Sequence, residues 1–295
     1  MVTLLGVCVL LAGCGATSST GSRPIHVIAS FYPLLYVTER IGGDRVSVQN
    51  LTPTGAEPHE IELSASTSGD IEDAGLVVYL HGLAPAVDEA VADVAGHHGL
   101  DVTPEARVDL HASGQENGGG NSGRDLHFWL DPTRLADVAG AIAARLGQID
   151  PSGVAAFDAN AAALKADLHT LDQQYQEGLA HCANRVVVTG HEAFAYLAER
   201  YDLAQVGVTG LTPDEEPSPA DLARVSRYVE QHHVTTIYTE SLVSPAVAAT
   251  VAAETGASTA VLDPLEGLSK ANRGSDYLGI MRANLTVLRS GLGCA

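Results

Sequence analysis

The run from Asp150 to Cys182 limits most sharply what this chain can become. Val154, Phe157, Ala161, Leu164, Leu168, Leu171, Tyr175 and Leu179 recur at steps of three or four residues, the period of one helix face. Asp150 followed by Pro151 is a helix start, a side chain that caps and a ring already set to helical φ. No proline interrupts the run after Pro151. At 1.5 Å per residue a helix of roughly 30 residues is about 45 Å long, more than one small domain needs. The run therefore reads as a rigid spine joining two lobes. The boundaries expected are a lobe over 24–149, a spanning helix over 150–182 and a second lobe over 183–295. The chain has 295 residues, room for two domains, and an apolar share of 45% fills two cores.

Both flanks alternate short β-branched runs with amphipathic helices. Before the spine, strands are expected over 25–29, 46–51, 76–80 and 101–103, with helices over 31–41, 65–74, 83–95 and 133–146. After it, strands are expected over 185–189, 203–208, 235–239 and 258–262, with helices over 192–201, 220–231, 245–254 and 277–288. Such alternation implies an α/β fold with one parallel sheet per lobe. Ligands of such sheets sit beyond the carboxyl ends of the strands. His59, His191 and Asp263 all follow expected strands, and His127 lies in or beside a short one. Each lobe thus offers residues able to bind a metal in the cleft between them.

The amino terminus is an apolar segment too short to span a bilayer as a mature helix. Leu11-Ala12-Gly13-Cys14 resembles the bacterial lipobox, in which the cysteine is lipidated and becomes the first mature residue. One departure is that no Lys or Arg precedes the apolar run. Residues 1–23 are expected to be the lipoprotein signal and a Ser/Gly tether. Cys8 and Cys14 belong to that signal, which leaves Cys182 and Cys294 as an even pair in an exported chain, expected to form a disulfide. A loop on the order of 100 residues closed this way contributes up to about 4–5 kcal/mol. The formal net charge of -20 disfavours nucleic acid and anionic membrane surfaces as partners.

Three imidazoles and one carboxylate suit Zn²⁺. No two of these residues are close in sequence, so context carries the reading. Gly55-Ala-Glu-Pro-His59, Leu126-His-Phe-Trp-Leu-Asp-Pro132, Thr189-Gly-His-Glu-Ala-Phe-Ala-Tyr-Leu197 and Leu262-Asp-Pro-Leu265 occur in this order around the long helix. Together they resemble the zinc/manganese solute-binding proteins of ABC importers, the ZnuA/TroA-like group, over nearly the whole mature chain. The resemblance implies two α/β lobes bridged by one rigid helix, with a single metal in the cleft. Carried over by motif, His59, His127, His191 and Asp263 are the ligands. Glu240, at a strand end, is the candidate acceptor behind a ligand imidazole. The resemblance also implies one Zn²⁺ per chain, delivered to the transmembrane subunits of an ABC permease. A metallochaperone is a further candidate partner. The chain is expected to be a monomer outside the cytoplasm, at the cell surface or in the periplasm, tied to the membrane by its lipid.

Two alternatives share the motifs: a manganese importer component and a metal-stabilised lipoprotein adhesin. His191 speaks against manganese, since the resemblance implies a carboxylate there in manganese-preferring members. The long His- and acid-rich loop of many zinc members is replaced here by Gly-rich 113–123, beside His111. His81 reads as a polar strand-end residue. An enzyme is not expected. His191-Glu192 opens like a zincin, but Ala195 stands where the second histidine of His-Glu-x-x-His is required. A four-ligand tetrahedral site also leaves no position for an activated water. Replacing Cys14 by alanine should abolish acylation, seen as release from membranes and loss of the lipid mass; unchanged acylation in C14A would reject the lipobox.

Overall fold

The computed structural model describes residues 23–111, 123–213, 216–269 and 275–295. Cys14 and nearly all of the Gly-rich 113–123 segment lie outside these. In chain order the first half holds β1 (Ile25–Ala29), α1 (Tyr32–Gly42), β2 (Val46–Asn50), α2 (Ala65–Asp73), β3 (Leu76–Tyr79), α3 (Pro85–Ala90), β4 (Gly99–Asp101) and α4 (Thr103–Ala106). Then come α5 (Pro132–Ile149) and the spine α6 (Val154–Gly178). The second half holds β5 (Val186–Thr189), α7 (Ala195–Arg200), β6 (Ala204–Gly207), α8 (Pro219–Gln231), β7 (Thr236–Thr239), α9 (Ala246–Thr255), β8 (Ser258–Val261) and α10 (Tyr277–Leu292).

Each half builds one four-stranded, all-parallel sheet. The orders are β2-β1-β3-β4 and β6-β5-β7-β8, so both sheets are wound the same way. In both, the strand order reverses beside the first strand of the half, which creates a crevice at the carboxyl ends there. Alternate residues of a strand serve different cores. Val27 and Ala29 face the central core while Ile28 faces the outer one, with Val77 and Ile71. Val187 of β5 joins the central core and Val188 an outer one, with Val225 and Ile237. The central core is continuous across the molecule. It runs from Phe31 and Leu34 through Leu164 and Leu168 of the spine to Met281 and Leu288.

The spine differs at its start from the expected helix. Asp150 caps a 3₁₀ turn, Pro151–Gly153, by accepting the Ser152 N–H at 3.0 Å, and α6 begins only at Val154. Val154, expected on the apolar stripe, is 39% exposed, whereas Phe157, Ala161, Leu164, Leu168, Leu171, Tyr175 and Leu179 are buried. Polar contacts lock both halves to this helix. On the first half, Arg40 pairs with Asp167 at 2.7 Å and Asn160 Nδ2 donates to the Ile41 carbonyl at 2.9 Å. On the second, buried Asp172 accepts Arg200 Nε at 2.9 Å, Arg200 Nη2 at 2.7 Å and the Tyr201 hydroxyl at 3.1 Å. The Cys182–Cys294 disulfide joins the end of the spine segment to the end of α10.

Two other elements are shorter than the sequence suggests. The expected helix over 83–95 is α3 followed by a π turn, Val91–Ala95. The helix expected over 192–201 begins only at Ala195, because Glu192 N–H donates out of line to the Gly210 carbonyl at 2.8 Å.

Asp172→Ala would leave the Arg200 guanidinium without its bidentate acceptor. The loss should be about 2–3 kcal/mol, below that of a wholly buried pair because Arg200 still reaches water. A fall in the urea midpoint checks it, and an unchanged midpoint would contradict a stabilising role for the pair.

Candidate metal centre

Three imidazoles converge on one carboxylate oxygen in the crevice between the sheets. Glu266 Oε1 lies 2.8 Å from His127 Nε2, 3.3 Å from His191 Nε2 and 3.4 Å from His59 Nε2. The His127 ring centroid is 5.4 Å from those of both His59 and His191. His127, His191 and Glu266 are buried, and His59 is 13% exposed, so solvent reaches the group past His59. Among the described residues, His59, His127 and Glu266 are the group whose ligand atoms all lie within 4.8 Å of one another. His59 Nε2 is buried with no hydrogen-bond partner, an orphaned donor-acceptor atom that a cation would satisfy.

Local chemistry explains each placement. The His59 loop leaves β2 and is tied back by Thr52 Oγ1 donating to the Ser30 carbonyl at 2.8 Å. It is tied across the crevice by Gly55 N–H donating to the Leu268 carbonyl at 2.8 Å. His127, expected in or beside a short strand, lies in the loop before a 3₁₀ turn, Phe128–Leu130. Asp125 holds it there: Oδ1 accepts the His127 backbone N–H at 2.9 Å and faces its Nδ1 at 2.7 Å. His191 leaves the carboxyl end of β5, and Glu240 leaves that of β7, the two strands flanking the crevice. Glu240 Oε1 accepts the His191 backbone N–H at 3.0 Å, and Oε2 lies 2.5 Å from its Nδ1. Gly190 permits this approach, since a Cβ there would sit 2.8 Å from Glu240 Oε1. A carboxylate behind each of two imidazoles fixes the tautomer that turns Nε2 to the centre.

Glu266 sits at the end of a tight turn after β8. Asp263 Oδ1 accepts the Leu265 N–H at 2.8 Å, and buried Leu265 takes a left-handed φ of 56°. Non-glycine residues stay in that region only where the surroundings hold them.

The donor set is thus three imidazole nitrogens and one carboxylate oxygen, delivered from both halves. The family described as ZnuA, zinc-uptake complex component A periplasmic, matches residues 27–291. The chain belongs to the ZnuA family. It is 35% identical to the high-affinity zinc uptake system protein ZnuA of Bacillus subtilis, over 98% of this chain and 96% of that protein. It is 33% identical to the zinc-binding lipoprotein AdcA of Streptococcus pneumoniae, over 97% of this chain but only 59% of AdcA's length. The crystal structure of the Zn(II)-bound ZnuA-like domain of that AdcA superposes with a TM-score of 0.77 at 33% identity, covering 92% of this chain and 99% of that one. The two-sheet α/β architecture read from the sequence is thus that of a ZnuA-family protein.

Within this ZnuA-family chain, the structure brings His59, His127 and His191 together and places Glu240 behind His191. The place expected for Asp263 is taken by Glu266, three residues on. Asp263 instead shapes the turn, because its side chain is folded back onto Leu265 and its backbone is held by Asn284. Two contributors went unread in the sequence. Asp125 carried a signal, an acidic residue two positions before His127, the spacing at which an Asx turn closes. Glu266 carried only its nearness to Asp263.

Protonation follows from these contacts. Burial by itself would lower the His127 pKa, but Asp125 and Glu266 outweigh it and push it up to about 9. Burial is likewise outweighed at His191 by Glu266 and Glu240, which hold its pKa well above the ordinary value. Burial would raise the Glu266 pKa, but His191, His127 and His59 hold it well below the usual carboxylate range. The Glu57 carboxyl is pushed up to about 9, by burial first and then by Glu266. A raised imidazole pKa means that His127 stabilises the metal-free fold fully below its ordinary 6.5 and loses that contribution as pH rises through about 9. A metal at Nε2 requires neutral imidazoles. Binding at pH 7.5 should therefore release on the order of two protons per ion. Calorimetric titrations in buffers of different ionisation enthalpy measure this, and buffer-independent heats would contradict it.

Proposed function

We propose that this chain captures Zn²⁺ outside the cytoplasm and delivers it to an ABC permease for import. The observation that carries this reading is the convergence of three imidazole Nε2 atoms within 3.4 Å of one buried carboxylate oxygen, with donors drawn from both halves of the chain. The ligands in this reading are His59, His127, His191 and Glu266. Glu240 and Asp125 act behind the rings. Three nitrogens and one oxygen suit Zn²⁺ in a four-coordinate site, and Zn²⁺ outranks Mn²⁺ in the general affinity order. A manganese site would call for more oxygen donors. The ZnuA family is one of solute-binding components, and the names of the relatives, a zinc uptake protein and a zinc-binding lipoprotein, support the same cargo.

Zinc is cargo here, so the site must both hold and release it. Ligation through Nε2 with carboxylates at Nδ1 raises the basicity of the rings and tightens binding. The exposure of His59 gives the ion its path in and out. No helix among the described residues is long and apolar enough to cross a membrane. Anchorage through a lipid on Cys14, supported by the resemblance of Leu11-Ala12-Gly13-Cys14 to a lipobox, completes the reading, with 1–23 as signal and tether, 24–149 and 183–295 as lobes and 150–182 between them. A monomer suffices, since one chain supplies all four donors.

Metal analysis of purified protein should find one zinc per chain, with Zn²⁺ displacing Mn²⁺ in competition. Glu266→Ala and His191→Ala should each weaken zinc binding by about two orders of magnitude or more. Mn²⁺ displacing Zn²⁺ at comparable concentration, or unchanged affinity in both variants, would overturn the assignment.

A further inference from the structure

We infer that Tyr277 and Asn284, two buried residues of α10 that touch no proposed ligand, are positioning residues that set the spacing between His127 and Glu266. The inference rests on the zinc reading above. His127 comes from the first half and Glu266 from the second, and α10 bonds the backbone beside each of them. Two residues beyond His127, the Trp129 carbonyl accepts the Tyr277 hydroxyl at 2.5 Å. Three residues before Glu266, Asn284 grips the backbone of Asp263 twice. Its Oδ1 accepts the Asp263 N–H at 3.0 Å, and its Nδ2 donates to the Asp263 carbonyl at 2.7 Å. Trp129 Nε1 closes the figure by donating to the Pro264 carbonyl at 2.7 Å.

Seven residues separate Tyr277 from Asn284, two turns of helix, so both lie on one face at a fixed rise of about 10.5 Å. A helix is a stiff ruler, and this one is itself held. Tyr36 stacks on Tyr277 with ring centroids 5.5 Å apart, and the disulfide pins the carboxyl end of α10. The stretch from Asp263 to Glu266 needs such support. Leu265 holds its left-handed φ of 56° without a glycine's freedom, and release of Asp263 would let the turn relax and carry Glu266 off the imidazoles. Tyr277 belongs to the central core, and Asn284 is buried as well. The polar atoms of Tyr277 and Asn284 are satisfied by these two segments, which gives them a role beyond filling space.

The test compares Tyr277→Phe and Asn284→Ala with Tyr175→Phe, which removes an equally buried spine hydroxyl that donates to the Met281 carbonyl at 2.6 Å and bonds neither ligand segment. Zn²⁺ affinity is read by competition with a chromophoric chelator, and site geometry by the visible absorption of the Co²⁺-substituted protein. Tyr277→Phe and Asn284→Ala should each weaken Zn²⁺ binding about tenfold or more, the size of effect seen when the outer partners of ligands are removed, and should change the Co²⁺ band. Tyr175→Phe should lower the melting temperature of the metal-free protein and leave affinity and band as in wild type. Wild-type affinity and band in both α10 variants would overturn the inference, as would equal losses in all three. If Asn284→Ala does not fold, Tyr277→Phe, which removes a single oxygen, decides alone. Failure of the wild-type protein to take up Zn²⁺ or Co²⁺ would overturn the zinc reading itself, a result distinct from these.

Discussion

A shared carboxylate oxygen with three imidazoles around it, buried between two sheets, demands a frame that does not drift. Hydrogen bonds to Glu266 are lost over fractions of an ångström, so the two halves must keep their separation. The chain meets this demand with a central core shared by both halves. The spine contributes Leu164, Leu168 and Tyr175 to a cluster shared by Leu34 of the first half and Leu288 of the second. A paired strand linker would hinge at a few backbone torsions. A continuous helix resists bending because bending breaks its ladder of hydrogen bonds. The pair of buried Asp172 with Arg200 and the Arg40–Asp167 pair then fix rotation about the helix axis, which apolar packing alone leaves soft.

The site sits where the winding of the sheets puts it. In each half the second strand pairs on one side of the first and the third on the other, leaving a crevice at the carboxyl ends. His191 and Glu240 exit there from neighbouring strands, so an imidazole and its carboxylate partner meet without any local sequence relation between them. The opposed sheet supplies His59 from the loop after β2, and the approach of Gly55 to Leu268 brings the two loops together at the mouth of the site.

Periodicity made the spine and the strands legible. The seven apolar positions from Phe157 to Leu179 are all buried, and β1 spans Ile25–Ala29 as read. The imidazoles were legible through motif context. What the sequence hid depended on contacts between distant residues. Asp263 and Glu266 are two carboxylates in one turn, and which of them faces the imidazoles is decided by the φ of Leu265 and by Asn284, twenty-one residues beyond Asp263. The start of α7 was hidden for the same reason: Glu192 is drawn away by the backbone of Gly210, leaving His191 in a loop where its ring is free to turn inward.

Charge explains how such a site can keep its shape with and without an ion. Glu266, Asp125 and Glu240 bring three carboxylates to the centre, while burial and Glu266 keep Glu57 protonated at neutral pH. Three buried like charges would drive the crevice open if nothing answered them. In the metal-free protein the answer is protons on His127 and His191, each held by a carboxylate on either side. Zn²⁺ bound by those two imidazoles would require both to be neutral, and the ion would bring the same double positive charge that the two protons take away. The net charge of the centre is therefore the same in both states. A rigid frame is compatible with capture and release on this account, because exchange of one divalent ion for two protons asks for little electrostatic reorganisation. The spine can therefore stay straight while the cargo changes.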